Sequence, residues 1–363
     1  MKNINFGLCV WNIWGDEVVD RPDNIDETIT AEMIRWLVDN TGLNYVYQFQ
    51  PLQYPKPKVF QGDYCEQRRK AFNSMVDIHA DKLPYPELDY LFVRWRWDLG
   101  LDSDLRLHYQ RKTLNHYLKT ETRIFIWDDD FAMSPDERRI FKEYKNVSFV
   151  EISEEAKNDS NDHIYIPYTL TLDKSVALSR VLGKSGESCG DHLDDNMLFA
   201  YVGNNYKRQE YIEKYLLEST DRFPKRMHMY GNWLKYNNDI KEKYQNIVFH
   251  PKVNKPICKW IYQHCHTVPM LAKKVYFDRG HITPRLFEVV MSGGIPIGFN
   301  EFKNNQLYFT LSVGSDKEFA NQLQRVAGLT KEQRLELLER QIDLLIDNKI
   351  FSVEEFFKCL KIK

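Results

Sequence analysis

The chain has 363 residues, 43% hydrophobic and 28% charged, enough to bury a sizeable core and to form two domains. With 50 Lys+Arg against 52 Asp+Glu the formal charge is −2, which excludes the overall basic character of a general nucleic-acid binder but leaves room for a local basic face. The six cysteines, Cys9, Cys65, Cys189, Cys258, Cys265 and Cys359, lack zinc-site spacing and read as reduced thiols, and no segment reaches the about 18 apolar residues of a membrane span.

These features lead us to expect a cytoplasmic monomer with no membrane partner and no metal ligand set. In chain order, the N-terminal part opens with a strand at 4–11, a helix at 26–40 stopped by Gly42, and a strand at 45–49, the pattern of a parallel, doubly wound sheet. Pro51, Pro55 and Pro57 make the next stretch a loop, and 66–79 reads as helical. Strands follow at 88–93 and 124–127, with a helix at 104–118 between them. Polar breaks at 158–162 and 183–195 suggest a boundary, giving an N-terminal domain 1–170 and a C-terminal domain 171–349.

The alternation then restarts with strand 198–202, helix 209–218, strands 227–230, 247–249 and 275–277, the helix that carries Arg285, strand 295–297, and helices 317–327 and 331–347. A last helix at 352–360 carries Val353, Phe356, Phe357 and Leu360 on one side and is expected to cross back, so that 350–363 joins the first domain. The expected fold class is therefore α/β, with two Rossmann-like doubly wound halves.

The densest chemical signal is Thr283-Pro284-Arg285-Leu286-Phe287-Glu288, which runs on to the pair Gly293-Gly294 and an apolar strand. Residues three apart share a helix face, so Arg285 and Glu288 present a cation and a carboxylate together near a helix start, where free N–H groups favour an anion. A diphosphate for the arginine and a ribose diol for the glutamate fit that pair, although an exposed ion pair has the same spacing. Upstream, Tyr201-Val202-Gly203-Asn204-Asn205-Tyr206-Lys207-Arg208 follows a strand. Gly203 allows close approach of backbone to a phosphate, and Lys207 and Arg208 can hold its charge. The sequence is neither a Walker A nor a G-x-G-x-x-G motif. Two further strand ends, Tyr230-Gly231-Asn232-Trp233 and His250-Pro251-Lys252-Val253, offer Gly231 and Val253 as contacts, the second suiting a flat base through its backbone groups, although a plain turn accounts for either. His281, just before the Arg285 helix, is placed to touch phosphate or acceptor, but a loop histidine satisfied within the protein is the reading we favour.

In the first half, Ile124-Phe125-Ile126-Trp127-Asp128-Asp129-Asp130 is an apolar strand ending in three carboxylates. Crowding and burial raise a carboxylate pKa, which suits a general base. A metal-binding D-x-D, a helix-cap cluster and a solvated loop are the rival readings. Arg94-Trp95-Arg96-Trp97 interleaves cations with rings, as a sugar or nucleic-acid surface does, but core tryptophans with paired arginines account for it equally.

With both halves laid out, the chain resembles the two-domain glycosyltransferases of GT-B type, and within them the bacteriophage DNA β-glucosyltransferases. The resemblance lies mainly in the second half: Gly203 and Arg208 match a G-G-x-x-R-type diphosphate loop, Ile282-Thr283-Pro284-Arg285-Leu286-Phe287-Glu288 matches an I-T-x-R-x-x-E helix, and Tyr230-Gly231 matches a recurring strand end. The Gly293-Gly294 pair is similar to that of spore-coat and polysaccharide transferases.

The resemblance implies two domains facing a cleft and a UDP-sugar donor, with glucose and arabinose both compatible. Arg285 and Arg208 would lie on the diphosphate and Glu288 on the ribose. It also implies a catalytic base at Asp129, with Asp128 and Asp130 as neighbours, although Asp128 stands where that family has Thr. Duplex DNA is the implied acceptor, and a divalent cation is compatible with the chemistry but not required by the fold. Retaining GT-B enzymes pair two glutamates around this helix, and the partner position of Glu288 is Gly280, which points to inversion. A transferase acting on a bacterial glycan and a non-catalytic nucleotide-sugar binder are the alternatives.

Overall fold

The computed structural model describes residues 3–9, 25–50, 75–79, 84–95, 103–128, 131, 133–153, 163–182, 193–205, 208–233 and 239–362. The chain divides into two compact units, Met1–Leu170 together with Ser352–Lys363, and Thr171–Phe351.

The first unit is built on a seven-stranded sheet. Its strands are β1 (Ile4–Cys9), β2 (Leu43–Gln50), β3 (Met75–His79), β4 (Tyr90–Arg94), β5 (Arg123–Trp127), β6 (Val147–Glu151) and β7 (His163–Tyr165), in the order β3-β2-β1-β4-β5-β6-β7. Every pairing is parallel. A parallel sheet is covered on both faces, so its central strands are continuous apolar runs rather than alternating ones. Leu91, Phe92 and Val93 of β4 and Ile124, Phe125 and Ile126 of β5 are accordingly all buried.

The structure corrects the helical reading of 66–79 where it describes that stretch. Residues Met75–His79 are the edge strand β3, paired from Met75 to His79 with Val46 to Gln50 of β2. Val76 and Ile78 are β-branched, and pairing with β2 outweighs any helical spacing. Strands β6 and β7 also add to the sheet expected from sequence.

The C-terminal helix Val353–Leu360 packs on this first unit, as its one-sided apolar pattern predicts. Its Phe357 ring stacks on Trp36 of the Ile25–Asn40 helix at 4.1 Å, its Phe356 meets Phe92 of β4 at 5.7 Å, and Ser352 N–H donates to the Tyr168 carbonyl at 3.0 Å.

The second unit carries β8 (Phe199–Val202), β9 (Met227–Tyr230), β10 (Ile247–His250), β11 (Val268–Pro269), β12 (Pro296–Phe299) and β13 (Ser312–Val313). They form two parallel three-stranded sheets, β10-β9-β8 and β11-β12-β13. A parallel bridge between Phe199 and Thr267 links the first to the start of the second.

The expected strand at 275–277 is instead part of the helix Lys274–Arg279, and the strand that joins the sheet here is β11. A three-residue apolar run does not distinguish helix from strand. The decisive signal is Gly280, which closes the helix in the left-handed conformation at φ 63°. The helix expected at 209–218 is two, Gln209–Tyr215 and Leu217–Arg222, meeting at Leu216.

Candidate functional site

Strands β8, β9 and β10 run parallel, so the turns after them lie on one edge of the sheet, where ligands collect in folds of this kind. Two glycines bring the first two turns into contact. Gly231 has φ +143°, and a Cβ there would lie 2.3 Å from the Gly203 carbonyl oxygen. Gly203 N–H donates to the Tyr230 carbonyl at 2.8 Å, and the Asn204 side-chain oxygen accepts from Asn232 N–H at 2.9 Å.

Arg285 reaches the same place from the helix Arg285–Met291. A Cβ on Gly203 would stand 2.8 Å from its Nη2 and 2.7 Å from the Tyr201 hydroxyl, so the bare glycine is what admits the guanidinium. Arg285 Nη1 donates to Tyr201 Oη at 3.0 Å and makes a longer contact of 3.4 Å with the Leu271 carbonyl, while the guanidinium lies 4.9 Å from the Tyr201 ring centroid.

Burial works against the Arg285 charge, but the phenols of Tyr201 and Tyr262 and the carboxylate of Glu288 outweigh it and hold its pKa above the ordinary value. Arg285 is therefore a fixed, permanently charged cation. Glu288 lies one turn further along the helix and is half-buried. The Tyr262 phenol is pushed well up by burial first and by the nearby Glu288 second. The helix start adds less anion attraction than its sequence suggests, because Leu286 N–H is already bonded to the Thr283 carbonyl at 3.1 Å.

Arg208 is buried, and its Nη1 donates to the Asn204 carbonyl at 2.7 Å, so this guanidinium braces the Gly203-Asn204 turn. Lys207 lies outside the described residues. Val253 is half-buried in the turn after β10, directly before Asn254, which caps the helix Lys255–His264. His281 is buried, with its ring 4.7 Å from that of Tyr276, and its backbone N–H donates to the Tyr276 carbonyl at 2.9 Å.

In the first unit, Asp128 at the end of β5 is 2% exposed. Its Oδ2 accepts from Met133 N–H at 3.0 Å and lies 3.9 Å from Nη2 of Arg138, which in turn binds Glu151 at 2.9 Å. The first of those contacts anchors Met133 directly before Ser134, the N-cap of the helix Pro135–Lys142. Asp129 and Asp130 lie outside the described residues. Trp95 is fully buried and Arg94 lies over the Trp127 ring at 4.8 Å, so the described half of the Arg94–Trp97 stretch is core. Arg96 and Trp97 are outside the described residues.

Sequence reasoning missed Tyr201, Tyr262, Asn204 and the Leu271 carbonyl. A Tyr in the middle of an apolar strand is the available hint, because a buried hydroxyl needs a partner. Among the described residues no group of three His, Cys, Asp or Glu side chains is placed to hold a metal ion, and no helix is long and apolar enough to cross a membrane.

No family model and no curated protein matches the sequence. Solved structures match over nearly its whole length. A mutant of T4 phage BGT in complex with UDP-glucose superposes with a TM-score of 0.58 at 13% identity, covering 99% of this chain and 100% of that one. HepE of Anabaena in complex with UDP-glucose gives 0.55 at 9% identity, covering 99% of both chains. A trehalose-6-phosphate synthase studied for glycosyl transfer with retention gives 0.55 at 9%, over 99% of this chain and 98% of that one. The chain has the GT-B fold. At these identities the likeness establishes the fold alone, and function rests on the residues of the site.

Proposed function

We propose that the protein is an inverting, UDP-sugar-dependent glycosyltransferase whose acceptor is a hydroxymethylpyrimidine, most simply 5-hydroxymethylcytosine, in DNA. One observation carries the donor half: the Arg285 guanidinium closes over Gly203 at the strand-end edge of the sheet, with Glu288 one turn away. A fixed cation beside a bare backbone turn suits a diphosphate, and a neighbouring carboxylate suits a ribose diol. The likeness to structures solved with UDP-glucose supports the same donor.

In this reading Arg285 neutralises the charge that grows on the departing UDP, Glu288 accepts from the ribose, and Gly203 and Gly231 let backbone approach the donor. Arg208 shapes the turn, Lys207 adds charge, and Val253 lies beside the base. Asp129 takes the proton of the acceptor hydroxyl, with Asp130 as the alternative. Asp128 has its carboxylate committed to Met133 and stands near Arg138, which supports a loop-holding role.

A single displacement with inversion is supported at Gly280. A side chain there would meet the Lys303 carbonyl at 2.7 Å, and the residue is held at φ +63°, so this position cannot carry the second glutamate of the retaining pattern.

The test is to incubate the protein with hydroxymethylcytosine DNA and a panel of UDP-sugars, then weigh the digested nucleosides. A sugar-sized mass increase on the modified base with one donor is expected. Transfer to a glycan but not to DNA would instead support the second reading, which the near-neutral formal charge of −2 favours.

A further inference from the structure

The helix Lys255–His264 has one face inside the second unit and one outside. Cys258, Ile261 and Tyr262 are buried, and the helix contacts β8 and the Arg285 helix. Opposite them Ile257 is 45% exposed and Trp260 49% exposed, the two large apolar side chains that this helix presents to solvent. The His264 ring stacks on one face of the Trp260 indole at 4.2 Å and 22°, which holds the indole in place.

In sequence, the charged side chains on either side of Trp260 are all basic. No Asp or Glu occurs between Glu242 and Asp278, whereas Lys252, Lys255 and Lys259 all fall within eight residues of Trp260 in sequence, in a chain whose formal charge is −2. Lys252 and Lys259 are exposed. The run of positive charge ends at the C-terminus of the helix, where Asp194 N–H donates to the His264 carbonyl at 2.9 Å and Asp195 follows.

We propose that this helix and the turn before it form a nucleic-acid contact surface: Lys252 and Lys259 on the phosphate backbone, and Trp260 as the stacking face for an unstacked base. Interleaved cations and an exposed ring are what a polyanion with flat bases requires. A membrane surface fits less well, because insertion uses a long apolar stripe and this helix offers two side chains on a face whose reverse is locked into the core. The proposal rests on the DNA-acceptor reading above and assigns a surface to it.

The test is fluorescence anisotropy of the full chain with labelled DNA, duplex and single-stranded, at low and physiological salt. Wild type, Trp260→Ala and the double variant Lys252→Glu/Lys259→Glu are compared, and anionic phospholipid vesicles serve as the control. All three positions are exposed, so an unchanged melting temperature and an unchanged response to UDP show that fold and donor site are intact. Trp260→Ala is expected to weaken DNA binding about tenfold. The double variant should weaken it further and lower the slope of log affinity against log salt by about 2.

Variants that bind DNA as wild type does, a wild type that binds no DNA, or a wild type that binds vesicles and not DNA would each overturn the surface. Failure of sugar transfer to hydroxymethylcytosine DNA, with the DNA-binding losses as expected, would overturn the acceptor chemistry and leave the surface standing.

Discussion

The Arg285 guanidinium occupies the space that a side chain on Gly203 would take, with Nη2 2.8 Å from the ideal Cβ position. Two residues 82 positions apart in sequence are thereby matched, one by having no side chain and the other by filling the gap. Gly203 is outside the positive-φ region, and the atoms its Cβ would meet are the ends of two side chains. Gly203→Ala should therefore fold with little loss of stability, displace Arg285, and weaken UDP binding roughly tenfold or more, read by calorimetry. Gly231→Ala should behave differently. Its Cβ would meet backbone at 2.3 Å from a φ of +143°, so its melting temperature should fall as well.

The aspartates at the end of β5 separate by role. Asp129→Asn should leave the melting temperature and UDP affinity near wild type while lowering transfer by about 10²–10⁴, the usual contribution of a general base. Asp128→Asn should lower the melting temperature, because it weakens a buried carboxylate that accepts from Met133 N–H and stands 3.9 Å from Arg138. Steady-state kinetics beside thermal denaturation distinguishes the two outcomes. Wild-type turnover in Asp129→Asn, and in Asp130→Asn, would place the base elsewhere.

The C-terminal helix is predicted to be part of the first unit's stability. Phe356 is fully buried against Phe92, and its replacement by Ala should cost about 3–5 kcal/mol in denaturant unfolding. A change below about 1 kcal/mol would contradict that packing.

Acid should destabilise the second unit before its carboxylates titrate. His228 Nδ1 and His250 Nε2 are 3.0 Å apart, and burial depresses both pKa values; His266 is lowered by burial and by Arg334. An unfolded histidine takes a proton near 6.5. Below that pH the unfolded state binds more protons, so stability is fully present above about pH 6.5 and is lost as pH falls toward the depressed folded values. The melting temperature should fall between about pH 7 and 5, less steeply in His228→Asn/His250→Asn. A melting temperature that rises on acidification would contradict the assignment.

Much of the fold is legible in the sequence, because a parallel sheet buried on both faces writes each central strand as an unbroken apolar run. The β4 and β5 runs are of this kind. The misreadings fall where that signal is thin. Met75–His79 is an edge strand defined by its partner β2, and Lys274–Arg279 is a helix of six residues whose type is settled by Gly280. In the site, Arg285 and Glu288 are legible from their three-residue spacing and Gly203 from its place after a strand. Tyr201 and Tyr262 are not, since their roles come from through-space contacts with Arg285 that no local spacing encodes.

The central claim is that Arg285 and its surroundings form a nucleotide-sugar site, and a titration of UDP into wild type and Arg285→Ala by calorimetry tests it most directly. Loss of a charge-assisted contact of roughly 1.5–3 kcal/mol should raise Kd by about 10- to 100-fold, with the melting temperature of the UDP-free protein little changed. Equal UDP affinity in the two proteins, or no UDP binding by wild type, would contradict the account.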